Sequence, residues 1–176
     1  MIKMFLNLKA FILSYKSDTH KKLGKILTRN ALKISTAESC TGGLISSRLT
    51  DIAGSSAYIR ANFVTYSNEA KKRILNVSEE TLNTYGAVSA QCAQEMAQGL
   101  LQLTNSDIVL CTTGVAGPDF SENKPVGLIY CACGFNGKIS VKEFKINPNY
   151  NRKNMKFMFS ESALKFVIET VEKSIS

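Results

Sequence analysis

The first residues that could do chemistry form a run of hydroxyl-bearing side chains and glycines at positions 35–43. A strand pattern leads into this run, and the spacing of apolar residues after it predicts a helix. Backbone N–H groups at a helix N-terminus point outward and can bind an anion or a developing oxyanion. Ser39 and Thr41 would place hydroxyls beside such amides at the Gly42-Gly43 turn. The same residues could equally cap a helix and turn the chain, because a lone glycine pair is a weak motif.

A serine nucleophile needs a base, and the composition restricts which base is available. His20 is the single histidine and lies among lysines on a predicted surface helix, so we expect no Ser-His-Asp triad and no multi-histidine metal site. A lysine can accept a proton when burial lowers its pKa enough to leave it neutral. Lys71 is the candidate, and Tyr66 could orient it or donate to a reacting carbonyl. The alternative is that the lysine is solvated and the tyrosine packs in the core.

A second glycine-rich loop follows the most apolar strand pattern of the chain. Positions 107–113 are typical of a strand buried on both faces, and Gly114 and Gly117 come next. In open α/β sheets, ligands bind where the carboxyl ends of such strands meet. Two glycine-rich strand ends therefore favour one shared ligand site, with plain glycine turns as the alternative.

Composition and charge limit the class of protein. Hydrophobic residues make up 44% of the 176 residues and charged residues 20%, as in globular proteins. The five cysteines are expected to be buried thiols, and neither disulfides nor metal ligands are expected. The net charge of +8 is concentrated at the ends: positions 1–33 contribute +7, positions 138–176 contribute +4, and positions 34–137 contribute −3. We therefore expect no nucleic-acid partner and no membrane partner, with a weak contact to an anionic surface as the minority interpretation.

Helical and strand patterns alternate along the chain. Helical patterns cover positions 2–14, 19–29, 44–50 and 151–174, with short helices beginning near positions 68 and 79 and a longer one beginning at Ser89. Strand patterns cover positions 32–36, 57–66, 107–113, 127–135 and 138–146. Asn136-Gly137 predicts a type I′ hairpin, so the sheet must be mixed. We predict one domain over 1–176, a three-layer α/β/α sandwich with a mixed, mostly parallel sheet.

The first eighteen residues are predicted to be a helical extension of this domain. Its apolar face could cover another element or a second subunit. Asn7 and Lys9 interrupt the apolar stretch, and no small-residue cleavage site follows it. We therefore expect a cytoplasmic protein without a signal peptide.

Six longer motifs follow one another in the sequence: TAESCTGG at 36–43, TDIAGSSAY at 50–58, VTYSNEAK at 64–71, YGAVS at 85–89, TGVAGPD at 113–119 and KPVG at 124–127. Together they resemble the CinA C-terminal domain family, whose enzymatic members are nicotinamide-nucleotide amidases. The similarity covers about Leu23 to Gly127 and, weakly, the C-terminal helix. It implies hydrolysis of the carboxamide of nicotinamide mononucleotide to nicotinate mononucleotide and ammonia, without a metal or other cofactor.

The resemblance also implies roles for individual residues. Ser39 would be the nucleophile, Lys71 the base, and Tyr66 a third catalytic residue. The substrate would be surrounded by Thr41, Gly42, Gly43, Thr113 and Gly114, with Arg152 facing its phosphate. The chain departs from the family pattern at 120–123, where similar proteins have glycines, and at Pro148, where they tend to have an arginine.

The resemblance further implies an arrangement for the whole protein. Some members carry an additional N-terminal domain that resembles molybdopterin-binding proteins; this chain lacks it, so we expect a stand-alone amidase that forms a homo-oligomer. A non-catalytic nucleotide-binding module of the same fold is the main alternative. A competence or DNA-associated factor is the third.

Overall fold

The computed structural model describes residues 2–175 of the chain. The helices of this part are α1 Ile2–Lys16, α2 Thr19–Arg29, α3 Leu44–Thr50, α4 Asn68–Leu75, α5 Glu79–Thr84, α6 Ala90–Thr104 and α7 Arg152–Ile175. The strands are β1 Ile34–Glu38, β2 Ile59–Val64, β3 Ile108–Gly114, β4 Leu128–Phe135 and β5 Lys138–Lys145. A short 3₁₀ turn at Ser55–Ala57 precedes β2.

The five strands form one mixed sheet in the order β2-β1-β3-β4-β5. β1 pairs in parallel with both β2 and β3, whereas β4 pairs antiparallel with β3 and with β5. Four strands therefore point the same way and only β4 opposes them, which confirms the predicted mixed, mostly parallel sheet. Asn136 and Gly137 both have positive φ, 49° and 73°, as the predicted type I′ turn between β4 and β5 requires.

Helices cover both faces of the sheet, as predicted for a three-layer sandwich. One core lies between the sheet and helices α2, α3 and α7, and the other lies between the sheet and helices α4 and α6. β3 contributes to both cores because successive side chains of a strand point to opposite faces: Ile108 and Leu110 enter the first core, and Val109 and Cys111 enter the second. The sheet is thereby held with the carboxyl ends of β1 and β3 side by side.

Serine side chains cap the N-termini of three helices, and the local sequence predicts all three starts. Ser67, Ser78 and Ser89 each accept a hydrogen bond from an amide of the first turn of α4, α5 and α6, respectively. Such caps satisfy donors that have no partner within the helix. They also fix where each helix starts, which matters most for α4 because it carries Lys71.

α1 packs on α7, and the expected solvated position of His20 needs correction. His20 is half-buried on α2, where burial lowers its pKa, and its Nδ1 atom is buried without a hydrogen-bond partner.

The five cysteines are free and buried, as predicted. Among the helices of residues 2–175, none combines the length and apolar character needed to cross a membrane.

Candidate active site

Ser39 lies on a tight turn between β1 and α3. Its amide still pairs with β3, donating to the Thr112 carbonyl at 3.0 Å. Gly42 and Gly43 then take left-handed conformations with φ of 59° and 88°, which glycine adopts without steric cost. This turn leads the chain into α3 and leaves the Ser39 side chain only 8% exposed at the end of the strand.

Lys71 extends toward Ser39 from the first turn of α4. Its Nζ atom lies 3.2 Å from Ser39 Oγ and donates to the Tyr66 carbonyl at 3.4 Å. The side chain is among the largest that the fold buries, with only 2% exposed. Burial is the largest effect on the pKa of Lys71 and lowers it from the ordinary value of 10.5, while the Glu122 carboxylate acts more weakly in the opposite direction. The geometry thus combines a hydroxyl with an amine that can lose its proton.

The neighbours of Lys71 on α4 do not compete for this position. Lys72 forms an ion pair with Glu79 at 3.5 Å, and Arg73 is exposed. Only Lys71 of the three basic residues lines the cleft in front of Ser39. The helical spacing therefore selects one lysine for the buried position.

The cleft in front of this pair has a volume of about 370 Å³ and lies at the carboxyl ends of β1 and β3. Six of the residues singled out from the sequence line it: Ser39, Tyr66, Lys71, Thr113, Gly114 and Arg152. The Thr113 hydroxyl donates to the Ala87 carbonyl at 2.6 Å, so it ties β3 to the segment before α6. Thr113 thus shapes the wall of the cleft.

A positive charge stands at the mouth of the cleft, where α7 begins. Arg152 donates through Nη2 to the Tyr66 hydroxyl at 3.0 Å and through Nη1 to the Gly117 carbonyl. Tyr66 therefore uses its backbone carbonyl for Lys71 and its hydroxyl for Arg152. Tyr66 thus contacts Lys71 through its backbone, while its side chain is 61% exposed and its hydroxyl contacts Arg152.

Comparisons with known proteins identify the family of the chain. The family model described as the CinA C-terminal domain matches residues 16–171. The chain belongs to the CinA C-terminal domain family. The matched residues include every side chain of the cleft named above, whereas α1 lies almost entirely before the match.

Among curated relatives of this CinA domain, a "CinA-like protein" from Chloroherpeton thalassium is 49% identical over 155 residues, which are 86% of this chain and 37% of that protein. A "putative competence-damage inducible protein" from Acetivibrio thermocellus is 50% identical over 129 residues, covering 73% of this chain and 31% of its own. The chain thus spans about a third of the length of these curated relatives.

Solved structures of similar length share the fold. The competence/damage inducible protein CihA from Agrobacterium tumefaciens is 41% identical with a TM-score of 0.82, over 86% of this chain and 93% of that one. A competence-damaged protein (CinA) superfamily protein from Klebsiella pneumoniae is 31% identical with a TM-score of 0.84, over 89% of this chain and 99% of that one. The sandwich described above is therefore the fold of this family.

Three residues that the sequence placed around the substrate lie outside the lining of the cleft in this CinA domain. The Thr41 hydroxyl is fully buried against the Thr112 hydroxyl at 3.0 Å. The Gly42 amide donates to the Ser39 carbonyl at 3.1 Å, and Gly43 occupies the N-cap position of α3. Thr41 is buried, Gly42 is exposed and Gly43 is partly exposed, and the three residues shape the turn beside the cleft without lining it.

The N-terminus of α3 is also not free to bind an anion, contrary to the expectation from the sequence. The buried Glu38 carboxylate accepts from the Ile45 amide at 3.0 Å and from the Ser46 amide at 2.8 Å. It therefore occupies the helix end that the glycine turn was expected to offer to a substrate. The sequence did not predict this capping role for Glu38. The carboxylate binds amides seven and eight residues further along the chain, across the glycine turn.

Cys40, the neighbouring thiol, is poorly suited to compete with Ser39 as the nucleophile. It is buried, and burial raises the pKa of its thiol to about 12. The thiolate is the reactive form of cysteine, so little of it is present near neutral pH. Cys40 nevertheless lines the cleft beside Ser39.

Glu122 is one of the cleft residues that the sequence did not assign to the site. Its Oε2 atom accepts from the Val88 amide at 3.1 Å, and its backbone has a positive φ of 51°. Gly86 makes room for this carboxylate, because a Cβ atom there would lie 2.5 Å from Oε2. The only signal available was an acidic side chain in a loop that departs from the family pattern, and that signal does not specify a partner.

Proposed function

We propose that this protein is a nicotinamide-nucleotide amidase, which hydrolyses the carboxamide of nicotinamide mononucleotide to nicotinate mononucleotide and ammonia. One observation carries the proposal: Lys71 Nζ lies 3.2 Å from Ser39 Oγ at the base of a cleft, and the lysine is buried. A neutral amine at hydrogen-bond distance from a hydroxyl can act as its general base. Membership of the CinA C-terminal domain family supports the choice of substrate.

The first half of the proposed reaction forms an ester on the enzyme. Ser39 Oγ bonds to the amide carbon while its proton moves to Lys71 Nζ. The carbon–nitrogen bond then breaks, and the departing nitrogen takes the proton from Lys71 and leaves as ammonia. In the second half, water attacks the ester carbon and gives a proton to Lys71. The Ser39 oxygen leaves and recovers that proton, which releases the carboxylic acid.

An oxyanion formed at the amide carbonyl needs hydrogen-bond donors beside Ser39. We assign this role to the Cys40 amide and not to the Gly42-Gly43 turn. Cys40 directly follows the nucleophile and lines the cleft, and no oxygen within residues 2–175 accepts its amide hydrogen. Removing one such donor typically costs about 10²–10³ in turnover.

The cation at the cleft mouth suits the phosphate of a mononucleotide. Arg152 offers a planar set of donors that can bind two phosphate oxygens at once. It is held by Tyr66 and Gly117, so little side-chain freedom is lost on binding. The substrate would extend from the Ser39–Lys71 pair to this arginine, with its amide at the base of the cleft and its phosphate at the mouth.

A coupled ammonia assay tests the proposal, with nicotinamide mononucleotide and nicotinamide riboside as paired substrates. We expect ammonia from the mononucleotide, and a value of kcat/KM about 10- to 100-fold lower for the riboside because a charge-assisted contact is lost. The Arg152→Ala variant should reduce this preference for the phosphate. Binding of the mononucleotide by calorimetry without any ammonia would reject the amidase in favour of a non-catalytic nucleotide-binding module.

A further inference from the structure

α1 carries half of the large exposed hydrophobic side chains of residues 2–175, seven of fourteen, on a single helix. Its large exposed side chains are Met4, Phe5, Leu8, Phe11, Ile12, Leu13 and Tyr15. Leu8 is 52% exposed and Tyr15 is 78% exposed. Contiguous apolar patches of this kind mark interaction sites on soluble domains. The helix also lies almost entirely outside the residues that match the family model, so it is an addition to the matched domain.

The orientation of α1 is fixed by a polar anchor. Asn7 Oδ1 accepts from the Asn151 amide at 2.8 Å and from Asn154 Nδ2 at 2.9 Å. The Asn7 carbonyl also accepts from Asn154 Nδ2, at 3.0 Å. Ala10, on the same side of the helix, is buried against the domain. These contacts hold one side of α1 on the start of α7 and turn Leu8 and Ile12 outward.

The charges around the exposed face are of one sign. Lys3, Lys9 and Lys16 are the charged residues of α1, and all three are exposed. Within residues 2–175, no carboxylate lies within ion-pair distance of these lysines. Asp18 is the single acidic residue in the first 33 positions, and it pairs with Lys21. The apolar face of α1 is therefore bordered by unpaired positive charge.

We propose that α1 lies on the surface of a lipid bilayer that contains anionic phospholipids, with its apolar side chains among the acyl chains and its lysines at the headgroups. Each lysine near an anionic membrane surface contributes favourably, and the buried apolar area adds to the binding. The 15 residues of α1 are too few to span a bilayer, which needs about 20. The helix therefore lies in the plane of the membrane surface.

A second copy of the chain fits the same face less well. A symmetric dimer through α1 would place two copies of a helix with three lysines and no acidic residue against each other. That like-charge contact opposes association, whereas an anionic bilayer neutralises it. This proposal departs from the sequence-based expectation of no membrane partner. That expectation treated the terminal charge as a solvated face and the apolar face of the first helix as a cover for another element or a second subunit. In the structure the anchor at Asn7 leaves most of the apolar face exposed.

Vesicle flotation with the full chain tests the proposal. We expect the protein to float with vesicles of phosphatidylcholine and phosphatidylglycerol, to float much less with phosphatidylcholine alone, and to lose binding as salt rises. The double variant Leu8→Gln/Ile12→Gln should bind at least about tenfold more weakly. The double variant Lys9→Gln/Lys16→Gln should lose about tenfold on anionic vesicles only.

Matched substitutions on other surfaces provide the controls. Leu103→Gln on α6 alters a leucine that is 53% exposed, and Lys138→Gln removes an exposed charge from β5; both should float like the parent. Ammonia release and the melting temperature should be unchanged in all four variants. A parent chain that stays unbound with anionic vesicles would overturn the proposal. So would a dimer that Leu8→Gln/Ile12→Gln abolishes in the absence of lipid binding.

Discussion

Lys71 has to be uncharged to take a proton from Ser39, although a lysine in water is almost fully protonated at neutral pH. The fold meets this requirement by removing the amine from water: Lys71 is 2% exposed, and its contacts at the nitrogen are the Ser39 hydroxyl and the Tyr66 carbonyl. No acidic side chain within residues 2–175 forms an ion pair with it. Desolvation without a counter-ion is the condition that favours the neutral form.

The pH dependence of kcat/KM follows from this lowered pKa of Lys71. Activity should rise as pH increases through the pKa of Lys71 and then reach a plateau, because the base works only after losing its proton. The midpoint should lie below the ordinary value of 10.5 for lysine. Lys71→Arg should be inactive across the range, because a guanidinium stays protonated. A profile that does not change between pH 6 and about 10 would contradict the role of Lys71 as the base.

The motifs of the sequence were enough to single out Ser39, Lys71 and Arg152, and the structure brings these three to one cleft. They could not show that Glu38 occupies the start of α3, or that the Thr41 hydroxyl faces Thr112. Both contacts depend on how a side chain is directed after the chain has turned. Local patterns give the residue types at a turn but not the direction in which each side chain points.

The loop at 118–123 is the part of the cleft whose conformation is least predictable from local sequence. Its residues are exposed, and Glu122 joins the loop to the segment before α6 through the Val88 amide. Gly86 is required for this contact because any side chain there would meet the carboxylate. We therefore regard Glu122 as the residue that positions this wall of the cleft.

Glu122→Ala should raise KM for nicotinamide mononucleotide about tenfold with a smaller change in kcat. The variant loses the contact that positions one wall of the cleft, whereas the Ser39–Lys71 pair is unchanged. Gly86→Ala should act in the same way by displacing the carboxylate. The two effects on KM should not add in the double variant, since both break one contact. Ser121→Ala, in the same loop, is the control and should resemble the parent. Additive effects would show that Glu122 and Gly86 act independently.

Most helices and strands were predictable because their signals are local. The predicted bounds of α2 and α3 match the structure, and serine caps mark α4, α5 and α6. The predicted second strand was longer than β2, which is limited to Ile59–Val64. β2 is an edge strand that pairs with the short β1, so tertiary pairing, and not propensity, sets its ends.

Across the whole molecule, one buried polar network ties distant segments together. Arg48 of α3 forms an ion pair with Glu161 of α7 at 2.7 Å and donates to Ser160 at 2.7 Å. Ser17 and Thr19, at the start of α2, also donate to Glu161. Burial alone would raise the pKa of Glu161, but the hydrogen bonds from Thr19, Arg48 and Ser17 lower it to about 2.

This network should make stability depend on acid. Because the pKa of Glu161 falls from 4.5 to about 2 on folding, its contribution is present above pH 4.5 and is lost as pH falls toward 2. Glu161→Gln should reduce the free energy of unfolding by about 3 kcal/mol at pH 7, and the difference from the parent should shrink between pH 4.5 and 2. Urea titrations across pH measure both effects.

Glu169→Gln on the same helix is the control for that experiment. Its ion pair with Lys142 is 3.1 Å long but about half-exposed, and such surface pairs contribute at most about 1 kcal/mol. A Glu161→Gln variant as stable as the Glu169→Gln variant would show that the buried network contributes no more than a surface pair.

The most direct measurement of the catalytic account is ammonia release from nicotinamide mononucleotide by Ser39→Ala, Lys71→Met and Cys40→Ser, compared with the parent. Each variant should first be shown to fold by its melting curve. The account predicts losses of at least about 10⁴-fold for Ser39→Ala and for Lys71→Met, and turnover within about tenfold of the parent for Cys40→Ser. Turnover retained by Ser39→Ala, together with loss in Cys40→Ser, would contradict it.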